Sequence, residues 1–152
     1  MSSDRVFIDK QNRPVYQALA ATAAAVRAAA LDAGLDRKVM ELVNLRVSQL
    51  NGCAYCLDLH TRQALEEGET PQRLSVLPAW RDTRLFTDTE RAALGLAEAL
   101  TLLPDGEHRE DIFAEYQALL SAEHFSVLSW AVVTMNAFNR VSIISGHPVK
   151  PR

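Results

Sequence analysis

The sequence predicts an all-α fold, on three observations. Alanine and leucine dominate it, with 22 and 20 of the 152 residues, and both are strong helix formers. No run alternates apolar and polar residues between turn signals, so strands have no period-2 signature. Gly34, Gly52, Gly68, Gly106 and Gly146 fall between apolar-periodic segments, where a residue free to become left-handed can end a helix. Gly95 alone sits inside a segment.

The elements follow in order. Pro14 suits the first turn of a helix reaching about Ala33, whose alanine-rich body lets another backbone approach closely. Asp36 is an N-cap for a second helix to about Leu50. A third begins near Gly52 or Cys53 and ends at Glu67-Gly68. Thr70-Pro71 is a cap followed by an N1 proline, opening a short helix that Pro78 stops. Trp80 to Phe86 reads as a connector. Thr87 and Glu90 form a capping box for a helix to about Leu103, and Pro104-Asp105-Gly106 is a turn. Two more helices cover Glu107 to Leu120 and Glu123 to about Ser145, and Pro148 to Arg152 is a tail. The result is a bundle of about six to seven helices in one domain, 1–152, with no internal repeat. The last helix is apolar almost all round, as a buried central helix or an oligomer contact would be, and a homo-oligomer is expected. Trp80 and Trp130 read as packing anchors.

Composition narrows the function. With 48% hydrophobic and 23% charged residues, the chain can fill a core and disorder is excluded. A net charge of −3 without a Lys/Arg run gives no reason to bind nucleic acid. Met1 to Arg13 mixes charges with few apolar residues and lacks a leader pattern. The longest uncharged stretch, Phe125 to Asn139, is shorter than the roughly 20 residues that span a bilayer. A cytoplasmic protein with no membrane segment is expected. No glycine-rich phosphate loop is present.

Chemistry concentrates in Asn51-Gly52-Cys53-Ala54-Tyr55-Cys56-Leu57-Asp58-Leu59-His60. On a helix, Cys53, Cys56 and His60 share one face within an arc of about 60°. A cysteine at the helix N-terminus meets unpaired amides and the positive end of the dipole, which lower a thiol pKa from about 8.5. His60, one turn beyond Cys56, is placed to accept a proton. Cys53 and Cys56 are close enough to form a disulfide. Glu41, on the preceding helix, lies off the apolar stripe, about 200° round from Val39, so periodicity makes it a solvated charge near Arg37. Arg46 is odd in the other direction, falling on that stripe. It is a snorkelling side chain, a buried partner of an acid, or an interface contact.

Glu41 followed by Cys53-Ala54-Tyr55-Cys56 and His60, in the spacing E-x11-C-x2-C-x3-H, resembles the active-site signature of the alkyl hydroperoxide reductase D family within the carboxymuconolactone decarboxylase-like superfamily. The specific part covers about Met40 to Gly68, and Asn136-Ala137-Phe138-Asn139-Arg140 is similar to the family's last-helix segment. The resemblance implies an oligomeric all-helical peroxidase, in the family a trimer of dimers, that uses no metal or cofactor. It implies that Cys56 attacks a hydroperoxide substrate, that Cys53 closes the disulfide, and that His60 and Glu41 relay protons. A dithiol such as a lipoyl group, or a thioredoxin-like protein, would be the electron donor. One position departs: Tyr55 stands where the best-known member has a histidine.

Other uses of the same residues are a general thiol-disulfide oxidoreductase or redox sensor, a zinc site built from Glu41, Cys53, Cys56 and His60, and a helical subunit whose cysteines merely pack. Lactone decarboxylation, the superfamily's namesake reaction, would leave the thiol pair unexplained. His108, His124 and His147 read as ordinary residues.

Overall fold

A computed structural model describes residues 4–152; Met1 to Ser3, the start of the segment read as lacking a leader, lie outside the described residues. The fold is helical, with no strand among the described residues. The helices are α1 (Ile8–Gln11), α2 (Arg13–Asp32), α3 (Arg37–Asn51), α4 (Ala54–Glu66), α5 (Pro71–Val76), α6 (Asp88–Leu102), α7 (Gly106–Leu119) and α8 (Ala122–Ser145), with a 3-10 segment at Leu77–Asp82 between α5 and α6.

The expected signals start these helices. Asp36, Thr70, Asp105 and Ser121 each accept a backbone N–H of the first turn with a side-chain oxygen, and Thr87 and Glu90 close a reciprocal capping box. Two elements differ from expectation. The single-turn α1 has too few residues for a periodicity to show. The supposed connector after Pro78 winds into the 3-10 segment, with a kink at Ala79, because Trp80 is drawn into the core.

Helix α3 is the hub, packing against α4, α6 and α8, while α2 and α6 also lie along α8. It is buried on almost every side: Met40, Leu42, Val43, Leu45 and Val47 are core residues, and so are the polar Glu41 and Ser48. Two clusters form around it. One joins Val43 and Val47 to Leu96, Leu128, Val132 and both cysteines. The other joins Leu42 and Leu45 to Leu77, Trp80, Phe86 and Leu94.

Arg46 is a partly buried partner of an acid. Its Nε donates to Glu98 at 2.8 Å, Trp80 Nε1 donates to the same carboxylate at 2.9 Å, and Arg81 completes the set. These bonds tie the 3-10 segment to α3 and α6. Burial raises the Glu98 pKa, but the three donors together hold it below its ordinary value.

α8 runs through 24 residues and is long and apolar enough to cross a membrane by length and composition alone, with a mean hydropathy of 1.3 over an 18-residue stretch. One side packs against α2, α3 and α6 as a core helix does. Asn139, fully buried on that side, donates to Ser48 Oγ at 3.0 Å and accepts from Asn51 at 2.9 Å. Trp130 is not a packing anchor: it is 56% exposed, on the opposite side, with Val133 and Ile144. The apolar residues of α8 run all round the helix, so its composition could not tell the packed side from the open one.

Candidate active site

The junction between α3 and α4 sets the site. Gly52 ends α3 in the left-handed region at φ 69°, where a side chain would be strained, and Cys53 N then donates back to Ser48 O at 3.1 Å. This turn makes Cys53 the N-cap of α4. Its Sγ accepts from Cys56 N at 3.3 Å. Cys56 lies in the first turn, so both sulfurs sit at the end of α4 where unpaired amides and the helix dipole favour negative charge. The two are joined as a disulfide with Cα atoms 5.3 Å apart, and both are buried.

Glu41 reaches this site from α3. It is 2% exposed, which overturns the solvated charge that periodicity gave. Periodicity failed here because α3 is covered on its second side by α4. Glu41 Oε2 is 2.7 Å from His60 Nδ1, and Oε1 accepts from Arg37 Nε at 3.1 Å. Burial raises the carboxyl pKa, but the hydrogen bond and charge of His60, and then those of Arg37, lower it further, for a net value below the ordinary one. An ionised Glu41 requires hydrogen on Nδ1, which leaves Nε2 of a neutral His60 as a proton acceptor.

Cys56, His60, Glu41 and Arg37 line one cavity of about 890 Å³ between α2, α4 and α8. Of the two cysteines, only Cys56 is in its wall. The structure therefore brings Glu41, Cys56 and His60 together, with Cys53 behind Cys56. Among the described residues no three His, Cys, Asp or Glu side chains converge to hold a metal ion.

Sequence reasoning missed one part of the wall. His147 is not an ordinary tail residue: its ring lies against Tyr55 with centroids 5.3 Å apart, and its nitrogens contact Asp9 at 3.2 Å and Ser142 at 3.1 Å. An imidazole thus lies beside Tyr55, the position that departs from the family pattern. No sequence signal could have found it, because Asp9 and His147 are 138 residues apart. Arg37 was visible as an i,i+4 neighbour of Glu41. His108 pairs with exposed Asp105, and His124 contacts Ala33 O at 2.9 Å; neither is in the wall.

Comparisons with known proteins agree with this architecture. Residues 13–99 match the model of the carboxymuconolactone decarboxylase family. The uncharacterized protein YdfG of Bacillus subtilis is 36% identical over 113 residues, 74% of this chain and 77% of that protein. The alkyl hydroperoxide reductase AhpD of Corynebacterium aurimucosum is 35% identical over 68 residues, 44% of this chain but 36% of AhpD, so the match spans little more than a third of that relative. A crystal structure of a protein of unknown function from Agrobacterium tumefaciens, proposed to be the antioxidant defence protein AhpD, superposes with a TM-score of 0.83 at 28% identity, covering 96% of this chain and 99% of the other. With fold, length and matched segment in accord, the chain belongs to the carboxymuconolactone decarboxylase family and is of its AhpD-like kind.

Proposed function

We propose that the protein is a thiol-dependent peroxidase that reduces organic hydroperoxides through Cys56 and Cys53. The observation that carries this reading is the hydrogen-bonded Glu41–His60 pair, at 2.7 Å, in the wall of the cavity that Cys56 also lines. An AhpD-like kinship supports it.

In the reduced protein His60 Nε2 takes the Cys56 thiol proton, and Glu41 stabilises the resulting imidazolium. The thiolate attacks the distal oxygen of the hydroperoxide; an S–O bond forms, the O–O bond breaks, and the leaving alkoxide recovers a proton from His60 as an alcohol. Cys56 is left as a sulfenic acid. The Cys53 sulfur then attacks Cys56, water leaves, and the disulfide forms. A dithiol or a thioredoxin-like protein reduces it by exchange, taking up the two oxidising equivalents. The chain acts as a homo-oligomer, with a trimer of dimers as the expected assembly, and as a single domain in the cytoplasm.

The test is consumption of cumene hydroperoxide by the reduced protein with dihydrolipoamide as donor, beside reduction of a model disulfide with the same donor. Turnover of the peroxide well above that of the disulfide is expected. Disulfide reduction without peroxide turnover would make the protein a thiol-disulfide oxidoreductase.

A further inference from the structure

The last turn of α3 is held by a polar network that the redox steps above leave unused. Asn139 of α8 and Ser48 of α3 are both fully buried. The Asn139 amide donates to Ser48 Oγ at 3.0 Å and accepts from Asn51 Nδ2 at 2.9 Å, so one side chain grips two residues of α3. Asn51 Nδ2 also donates to Asn136 Oδ1 at 2.9 Å. Asn136 in turn donates to Thr101 Oγ1 of α6 at 3.1 Å. Three helices are thereby joined at one point.

What the network grips is the turn that carries Cys53. Ser48 O accepts the Cys53 amide at 3.1 Å, and Asn51 is followed by Gly52 and then Cys53. The Cys53 backbone therefore hangs on the two residues that Asn139 holds. Docking α8 on α3 does not need this arrangement, because Val43 and Val47 already meet Leu128 and Val132 in the core. Apolar contacts are non-directional and tolerate small slides, whereas hydrogen bonds fix direction and register. The difference matters once the disulfide opens. While the S–S bond is closed, that bond pins Cys53 to Cys56. In the reduced protein the end of α3 is what keeps the Cys53 sulfur beside its partner.

We propose that Asn139 and Asn51 are positioning residues for the redox pair: by clamping the end of α3 to α8 they hold the reduced Cys53 at the cap of α4, within reach of Cys56, and raise its effective concentration for closing the disulfide. Neither asparagine takes part in the chemistry. The task this gives Cys53 rests on the peroxidase reading above; the dithiol–disulfide equilibrium that the clamp biases needs no peroxide.

The test is equilibration of the full chain with mixtures of reduced and oxidised dithiothreitol, followed by alkylation and mass spectrometry. In this exchange dithiothreitol passes two electrons and two protons to the Cys53–Cys56 bond, leaving two thiols, and itself closes to a disulfide. Asn139→Ala strands neither partner, since Ser48 Oγ still donates to Asn44 O at 2.7 Å and Asn51 keeps Asn136. It frees the turn in the reduced form more than in the oxidised one. The disulfide should therefore open more readily, by about tenfold in the equilibrium constant, or about 30 mV upward in potential. Asn51→Ala, at a partly exposed position, should shift the equilibrium the same way, and it carries the test if Asn139→Ala does not fold. Gly95→Ala, which crowds Tyr116 of α7 instead, should lower stability and leave the equilibrium unmoved, because it weakens both redox forms alike. No shift in the asparagine variants, a disulfide that becomes harder to open, or an equal shift in Gly95→Ala overturns the proposal. In parallel, the reduced wild type is given cumene hydroperoxide. If the equilibrium shifts as expected and the peroxide is not reduced, the clamp stands and the peroxidase reading falls. If the peroxide is reduced and the equilibrium does not move, the peroxidase stands and the clamp falls.

Discussion

Glu41 keeps its charge while 2% exposed because two donors, His60 and Arg37, replace the water it has lost. Its pKa is lower folded than unfolded, so its contribution to stability is present above the unfolded value of about 4.3 and is lost as the pH falls through the lower folded value. Glu41→Gln should therefore destabilise the protein at pH 7 by about 1–3 kcal/mol in urea unfolding, and the gap to the wild type should close under acid, where Glu41 is neutral in both states. An equal gap at pH 7 and pH 3 would mean that the charge is not what matters. The same substitution should slow peroxide turnover by roughly 10²-fold, the usual size of a general-base contribution. The two cysteines should fail differently after one equivalent of hydroperoxide. Cys53→Ser should gain one oxygen on Cys56 by mass spectrometry, while Cys56→Ser, whose remaining thiol is outside the cavity wall, should gain none. Oxygen found on Cys53 instead would reverse the roles.

Helix α6 shows how one residue can let two elements meet. Gly95 is fully helical, and a Cβ there would fall on the hydroxyl and ring edge of Tyr116 from α7. The absence of a side chain is what allows α7 to lie close to α6. Gly95→Ala carries a better helix former, yet it should lower stability by about 1–3 kcal/mol through overpacking, read as a lower urea midpoint. Tyr116→Phe added to it should recover part of the loss, since the hydroxyl is the nearest atom. Full stability in Gly95→Ala would show that Tyr116 swings away freely. Gly52, by contrast, is needed for its φ of 69° alone, with nothing within 4 Å of a Cβ.

On the scale of the molecule, α8 divides the structure into a packed side and an open one. Trp130, Val133 and Ile144 are each more than half exposed, and with Ala137 and Arg140 they lie on one stripe at helical spacing. Another copy of the chain is expected to cover this stripe. Light scattering should give a mass above that of one chain, and Trp130→Glu/Ile144→Glu should reduce it without loss of helical signal in circular dichroism. A wild-type monomer at micromolar concentration would show that the stripe stays open.

The sequence by itself determined that the chain is helical and where its longer helices begin and end. Caps such as Asp36, Thr70 and Thr87 act on neighbours within a few residues, and local interactions are legible locally. It also brought Cys53, Cys56 and His60 onto one short segment, since their meeting needs only the 3.6-residue turn. Only the tertiary structure decided which charges are buried. Glu41 is buried because α4 packs over α3, and Arg46 is largely covered where α6 brings Glu98 to it. It also decided which residues from the two ends of the chain share the cavity wall. Lys10, His147 and Lys150 line the same cavity as Cys56 through contacts spanning most of the sequence, and no periodicity records such contacts because they arise when whole helices pack.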